Sequence, residues 1–513
     1  MRIAVSVLLF SLLLCGCVGN RSYRRGTSVV PHEMPTAVEP IQDDDCSDRK
    51  PYECVETENG YQAEHFYLAH IEFDDMGELW SIGDLDHDQG GAQSQLGITL
   101  GIIEKARTVA EARDSDLVVI TFIHGWHNNS SAYDEEKKDL GSFKTVLQDL
   151  SARYKRDYPD HTPVFVGVFI SWRGQVLAGN KISSYWNRRD AAVRIGGPSL
   201  TEVVTRLMFV TKGVPPAPEP VDRCEAKADR KNSRLIVIGH SFGARALAHA
   251  IVQPMLSLVL ERQAQAQKCL ATWNGLHPQD VLQTVSFVAP ADLLVFLNAA
   301  DDAFEMKATV EAFKRNQIQV LRPGDDTAAD GASGPFLISI TSDGDWATEK
   351  VMPVAQWFST VGLAFRKYDS DACEKGQLCT HSQSYYYTHS AASIKEMRSH
   401  SVSTQDLQSA DCQEAQKTDD HWPYFVAWVN ENERCFKIEQ NLEPRVDTQG
   451  RRYRPWNDTP AFVIGVPATL IPSHTDVFQD GTEELLIAIA NHFNESFRST
   501  TRMSTPARTN TPP

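Results

Sequence analysis

Arg234-Leu-Ile-Val-Ile-Gly-His-Ser-Phe-Gly-Ala-Arg-Ala-Leu-Ala-His249 is the stretch on which the reading of this chain turns. Leu235 to Ile238 are four consecutive apolar residues, the pattern of a strand buried on both faces, as central parallel strands are. Gly239-His240-Ser241-Phe242-Gly243 then predicts a sharp turn, and Ala244 to Val252 predicts a helix. A serine on such a turn is held clear of the backbone, and flanking glycines let neighbouring chain pass close. The helix that follows aims its first amides at the charge that attack by Ser241 would create. Gly-x-Ser-x-Gly alone is a modest signal, and the plainer alternative is a tight glycine turn around a buried, satisfied serine. The flanking strand and helix favour Ser241 as a nucleophile.

The 513 residues are 42% apolar, enough for a sizeable core, with room for one large domain or two ordinary ones. Net charge is −17. Such an acidic body speaks against nucleic-acid binding and against general adhesion to anionic lipid.

Arg2 followed by an apolar run from Ile3 to Leu14 has the form of a secretory signal, too short to remain as a membrane span. Its end, Leu14-Cys15-Gly16-Cys17, resembles the bacterial lipobox. That resemblance implies cleavage before Cys17 and lipid attachment to it, the alternative being an ordinary signal cut near Gly16 or Gly19. Val18 after the cysteine, in place of Asp, implies the outer membrane of a Gram-negative cell envelope. Eight further cysteines (46, 54, 224, 269, 373, 379, 412 and 435) suit an exported chain with disulfides. Of the 105 connectivities possible for eight cysteines, neighbour pairing is the simplest: 46–54, 224–269, 373–379 and 412–435. No Cys-x-x-Cys and no zinc-finger spacing occurs, so neither a metal nor another cofactor is expected.

Taken in order, residues 1–16 read as the signal, 17–60 as a flexible tether, 61–365 as the first part of an α/β body, and 366–455 as an inserted cap or lid. Residues 456–497 close the body, and 498–513 form a Ser/Thr/Pro tail. Strands are expected at 65–73, 117–123, 164–170, 281–289, 336–341 and 461–466, besides the one before Ser241. Helices are expected at 96–112, 143–154, 185–196 and 482–493. Asp84-x-Asp86-x-Asp88 begins like a calcium loop, but Gln89 and Gln95 replace its glycine and bidentate glutamate, so solvated loop acids are the better reading. Strand–helix alternation predicts a mostly parallel sheet with helices on both faces, and function at the carboxyl ends of the strands.

Together, Glu72-Phe-Asp-Asp75, His124-Gly-Trp-His127, Tyr185-Trp-Asn-Arg188, Gly239-His-Ser-Phe-Gly243, Asp345-Trp-Ala-Thr348 and the segment around His474 resemble a branch of the bacterial α/β-hydrolases, over roughly residues 65–365 and 455–495. The resemblance implies the α/β-hydrolase fold and hydrolysis of a small-molecule or lipid ester. It also implies a triad in the chain order Ser241, Asp345, His474, with the amides of Trp126 and Phe242 as oxyanion donors. His124 and His127 are expected to shape their loop rather than to move protons. Asp343 and Asp292 stand as alternative acids. Two other function classes remain: a non-catalytic surface lipoprotein on the same scaffold, and an acyltransferase using the same acyl-enzyme.

Overall fold

The computed structural model describes residues 52–56, 65–80, 95–130, 139–157, 162–174, 184–213, 233–272, 291–315, 335–365, 381–417, 423–429, 432–441, 445–446, 452–453, 459 and 461–493. The expected signal, tether, calcium-like acids and tail lie outside them, apart from Tyr52–Glu56.

The apolar runs become the middle of the molecule. Leu117–Ile123 (β3) and Val164–Trp172 (β4) are buried at every position, as strands covered on both faces must be. They join Tyr52–Glu56 (β1), His65–Phe73 (β2), Ser233–His240 (β5), Leu293–Leu297 (β6), Leu337–Ser342 (β7), His400–Gln405 (β8), Tyr424–Val429 (β9), Asn432–Gln440 (β10) and Ala461–Val466 (β13) in one sheet. A separate ribbon pairs Arg445–Val446 (β11) with Arg452–Tyr453 (β12). The order across the sheet is β1-β2-β4-β3-β5-β6-β7-β13-β8-β10-β9. Neighbours from β2 to β8 pair in parallel, whereas β1 with β2, β10 with β8 and β9 with β10 are antiparallel. The fold is thus α/β with a mostly parallel sheet.

Helices cover both faces. On one, Gln95–Ala112 (α1), Ser184–Ile195 (α2), Pro198–Lys212 (α3) and Phe242–Thr272 (α4) pack on Ile71, Val119, Val168, Val237 and Leu294. On the other, Asp139–Asp157 (α5) buries Leu140, Phe143 and Leu147 against Phe122 and Phe169, and Asp480–Phe493 (α6) buries Leu485 and Ile489 against Ile338 and Ile464. Fully burying each such side chain is worth roughly 1.5–3 kcal/mol. Where α5 and α6 part, an apolar cavity of about 110 Å³ opens over Ile236, Ile238 and Leu293.

The strand beside β5 is Leu293–Leu297; the expected strand 281–289 lies outside the described residues and is not tested by them. One expectation needs correction. The described part of the expected cap does not form a separate lid. His400–Gln405 pairs with β13 (Ile464 opposite His400), and β10 and β9 extend the edge beyond it. Phe436 and Ile438 of β10, with Phe425, Ala427 and Val429 of β9, seat this edge on the same core as α6. Cys412 is bonded to Cys435, as the neighbour pairing expects, and ties Ala410–Ala415 to β10. The side chains of the other three expected pairs lie outside the described residues.

Candidate active site

β5 lies between β3 and β6, and the chain passes outward from β3 to β4 before returning to β5. The carboxyl ends of β3 and β5 therefore face one crevice, the position at which parallel sheets bind ligands. Ile123 and Gly239 stand opposite each other at that end.

β5 ends at His240 and α4 begins at Phe242, so Ser241 alone makes the corner, at φ 54°. A left-handed backbone at a non-glycine residue costs about 1–2 kcal/mol and persists only where its surroundings impose it. Here the Ser241 amide donates to the Leu297 carbonyl at 3.1 Å, and its own carbonyl accepts from Ala300 (3.1 Å) and Arg245 (3.3 Å). The glycines permit the approach of neighbouring chain. A Cβ on Gly243 would lie 2.2 Å from the Ile123 oxygen, one on Gly239 2.6 Å from the Ala244 Cα, and one on Gly125 2.7 Å from the Ser241 Cβ.

His474 Nε2 stands 2.8 Å from Ser241 Oγ, and its Nδ1 2.9 and 3.0 Å from the two Asp345 oxygens. With the proton on Nδ1, that nitrogen donates to the carboxylate and Nε2 accepts from the serine hydroxyl. Asp345 is fully buried and also accepts from the Thr348 amide at 3.0 Å and the Thr348 hydroxyl at 2.6 Å. Burial would raise its pKa, but the bond from His474, the imidazole's charge and the Thr348 bonds outweigh it and hold the carboxyl below its ordinary value.

Neither alternative acid reaches the histidine in this way. Asp343 pairs with Arg398 at 2.6 Å. Asp292 lies at the opposite end of the sheet, before β6, where it pairs with Lys212 at 2.7 Å and accepts from the Leu235 amide at 2.7 Å. Burial works against the Asp292 carboxylate, yet Lys212 and Arg234 hold its pKa low.

The loop after β3 carries the other candidate groups. Trp126 follows Gly125, the residue that touches Ser241, and Phe242 opens α4, where the first amides have no acceptor within the helix. His124 is fully buried. Its Nδ1 lies 2.8 Å from the Gly125 carbonyl, its Nε2 accepts from the Trp172 amide at 3.1 Å, and its ring stacks on Trp172. Burial, the largest influence, lowers its pKa to about 4. It is therefore a neutral brace for the loop. His127 takes φ 69°, donates its amide to Gly174 at 3.0 Å and stacks on Trp126.

Two further motif stretches meet nearby. Arg188 forms a two-pronged bond to Asp75 (2.7 and 2.9 Å), and Tyr185 packs between Trp126 and Phe242. Tyr185 thus packs against the loop after β3, while Arg188 anchors Asp75 beside it.

Sequence reasoning missed the supports of the histidine loop. His240 Nε2 donates to the His474 carbonyl at 2.9 Å, while its Nδ1 faces Asp139 at 3.4 Å. Burial opposes charge on His240, but the bond and charge of Asp139 outweigh it and raise the pKa. Asn298, at φ 42°, donates to the same carbonyl at 3.2 Å and accepts from the Ser342 amide at 3.0 Å. The place of His240 beside Ser241 was a usable signal; for Asn298 there was none.

Behind Ser241, Arg245 pairs with Asp301 (3.1 Å) and Asp302 (3.5 Å). His249, Asp301 and Glu305 bring ligand-type atoms within 4.8 Å of one another there. The Arg245 guanidinium already supplies positive charge to this cluster, which braces the first turns of α4. The apolar cavity under the sheet is lined by none of Ser241, Asp345 and His474.

No protein-family model, curated protein or solved structure matches the chain.

Proposed function

We propose that the chain is a serine hydrolase of the α/β-hydrolase fold that cleaves acyl esters through an acyl-enzyme. The observation that carries this is the unbroken line from Ser241 through His474 to Asp345, 2.8 and 2.9 Å, on a serine held at a strained corner. A serine hydroxyl is a weak nucleophile until a base takes its proton.

In the first half-reaction Ser241 Oγ bonds to the ester carbonyl carbon while its proton passes to His474 Nε2. The carbonyl oxygen gathers negative charge facing the Trp126 and Phe242 amides. His474 then gives the proton to the departing alkoxide as the carbon–oxygen bond breaks. In the second half-reaction water loses a proton to His474, attacks the acyl carbon, and Ser241 leaves with that proton. Asp345 keeps the proton of neutral His474 on Nδ1 and stabilises the imidazolium in both halves.

In the same reading, Cys17 carries the lipid that holds the protein at the outer membrane. Among the described residues no helix is long and apolar enough to cross a membrane. Labelling with a fluorophosphonate probe tests the nucleophile. The wild type should be labelled and Ser241→Ala should not; equal labelling of both would overturn the assignment. Adding alcohol or amine acceptors to a turnover assay separates hydrolysis from acyl transfer. A wild type inert to both probe and activated esters would leave a non-catalytic surface lipoprotein.

A further inference from the structure

A helix next to the catalytic acid is apolar on its solvent side. Met352–Ser359 buries Met352, Ala355 and Gln356. Opposite them Val354, Trp357, Phe358 and Val361, spaced at helical intervals, are 56–75% exposed, and Trp346, directly after Asp345, is 67% exposed. Burying such a face normally stabilises a fold, so an outward apolar face beside a reactive centre marks an interaction surface.

The patch is continuous with the site. Ring centroids step from Trp126 in the oxyanion loop to Tyr185 (6.0 Å), Trp186 (5.8 Å), Phe358 (6.3 Å) and Trp357 (5.2 Å). An aromatic path therefore links the surroundings of Ser241 to the surface.

We infer that this face docks on a bilayer with electrically neutral headgroups, and that the ester cleaved at Ser241 is drawn from that bilayer along the aromatic path. The substrate half of the inference rests on the reading of Ser241 as nucleophile; the docking half does not.

Three observations choose this occupant. First, tryptophan and phenylalanine are the side chains that settle at the boundary of headgroups and acyl chains. Second, the cations described at the patch are engaged: Lys350 pairs with Glu349 at 2.9 Å, Arg189 donates to Ser359 and Tyr387, and the chain as a whole carries −17. A neutral patch on an acidic body suits zwitterionic lipid, and anionic lipid would repel the body. Third, the chain enters the sheet from the side of the site. Tyr52 stands opposite Ala69, midway along β2, and Glu56 opposite His65, so β1 runs away from the end of β2 at which the loops carrying Ser241 and His474 emerge. The 34 residues between Cys17 and Tyr52 reach at most about 120 Å when extended. A lipid on Cys17 would keep the patch within range of the membrane that holds it.

The test uses the chain from Cys17 onward, produced without lipid and carrying Ser241→Ala, so that binding is read apart from turnover. It is floated with vesicles of phosphatidylcholine and, separately, of phosphatidylglycerol. The expected result is co-flotation with phosphatidylcholine, a blue shift of tryptophan emission, and weaker binding to phosphatidylglycerol. Trp357→Ser with Phe358→Ser should lower the partition coefficient at least tenfold at an unchanged thermal midpoint. No flotation with phosphatidylcholine, equal flotation of the double variant, or binding to anionic vesicles alone would overturn the inference. Self-association that the double variant abolishes, in the absence of vesicle binding, would overturn it in favour of a contact between copies. Docking without fluorophosphonate labelling of the Ser241-containing protein would retain the surface and discard the hydrolase.

Discussion

The side chain of His240 donates to the backbone carbonyl of His474 at 2.9 Å, so the residue before Ser241 holds the loop that carries His474. Asn298 donates to the same oxygen at 3.2 Å. Ser241 and His474 are thereby registered through main chain as well as through their own hydrogen bond. His240→Ala and Asn298→Ala should each lower kcat on an activated ester about 10- to 100-fold with little change in KM, because geometry is lost and binding surface is not. A rise in KM at constant kcat would count against a positioning role.

Ser241, His474 and Asp345 should behave as one unit. Ser241→Ala or His474→Ala should each remove turnover by several orders of magnitude, and combining them should cost almost nothing more. Asp345→Asn should cost somewhat less, since the nucleophile–base pair survives it. Asp343→Asn should keep most activity, because that carboxylate serves Arg398. Steady-state kinetics of the five variants decide the matter; a dead Asp343→Asn beside an active Asp345→Asn would move the acid.

Gly243→Ala should be destabilised by roughly 1–3 kcal/mol, as overpacking of backbone against backbone usually is. Its new methyl would sit 2.2 Å from the Ile123 oxygen and 2.5 Å from the His124 oxygen. Gly125→Ala should mainly impair turnover, since its methyl would strike the Ser241 Cβ. Thermal midpoints and kcat, measured on both, should separate the two effects.

Glu483 lies in α6, where burial, followed by the charge of Glu484, lifts its pKa to about 8. The folded state keeps this proton at pH values where the unfolded chain, near 4.5, has lost it. Stability from this group is therefore fully present below about pH 4.5 and declines as pH rises toward 8, by on the order of a few kcal/mol. Glu483→Gln should match the wild type near pH 5 and be the more stable protein at pH 8. Denaturant melts at the two values measure this, and equal stability at pH 8 would show that the carboxyl titrates normally.

Breaking Cys412–Cys435 should cost about 3 kcal/mol, the loop-closure expectation for a sequence separation of 23. The bond joins the far edge of the sheet, away from β3 and β5, so Cys412→Ala with Cys435→Ala should lower the melting midpoint and leave ester turnover nearly intact. A large loss of turnover would mean that the edge bears on the site.

The sequence by itself determined the central strands, because runs such as Leu117–Ile123 and Ala461–Val466 are buried on both faces and need no partner to be recognised. It also determined the serine corner, because only Gly239 and Gly243 allow Ala244 and Ile123 to come so close. What it left open were relations between distant residues. Three acids, Asp292, Asp343 and Asp345, follow strand-like runs and look alike in one dimension. The fold separates them by sending Asp292 to Lys212, Asp343 to Arg398 and Asp345 to His474. The stretch from His400 to Gln440 is mostly polar, with a single apolar run at Tyr424–Val429, and so read as a lid. As an edge of the sheet, with burial alternating along β8 and β9, it needs only one apolar face, and the strand that β8 joins, β13, lies more than 50 residues on in the chain. The supports of the histidine loop were equally hidden. A side chain that binds a backbone carbonyl leaves no periodicity and no motif, so His240 and Asn298 acquire their roles only once the sheet brings the ends of β5, β6 and β7 together.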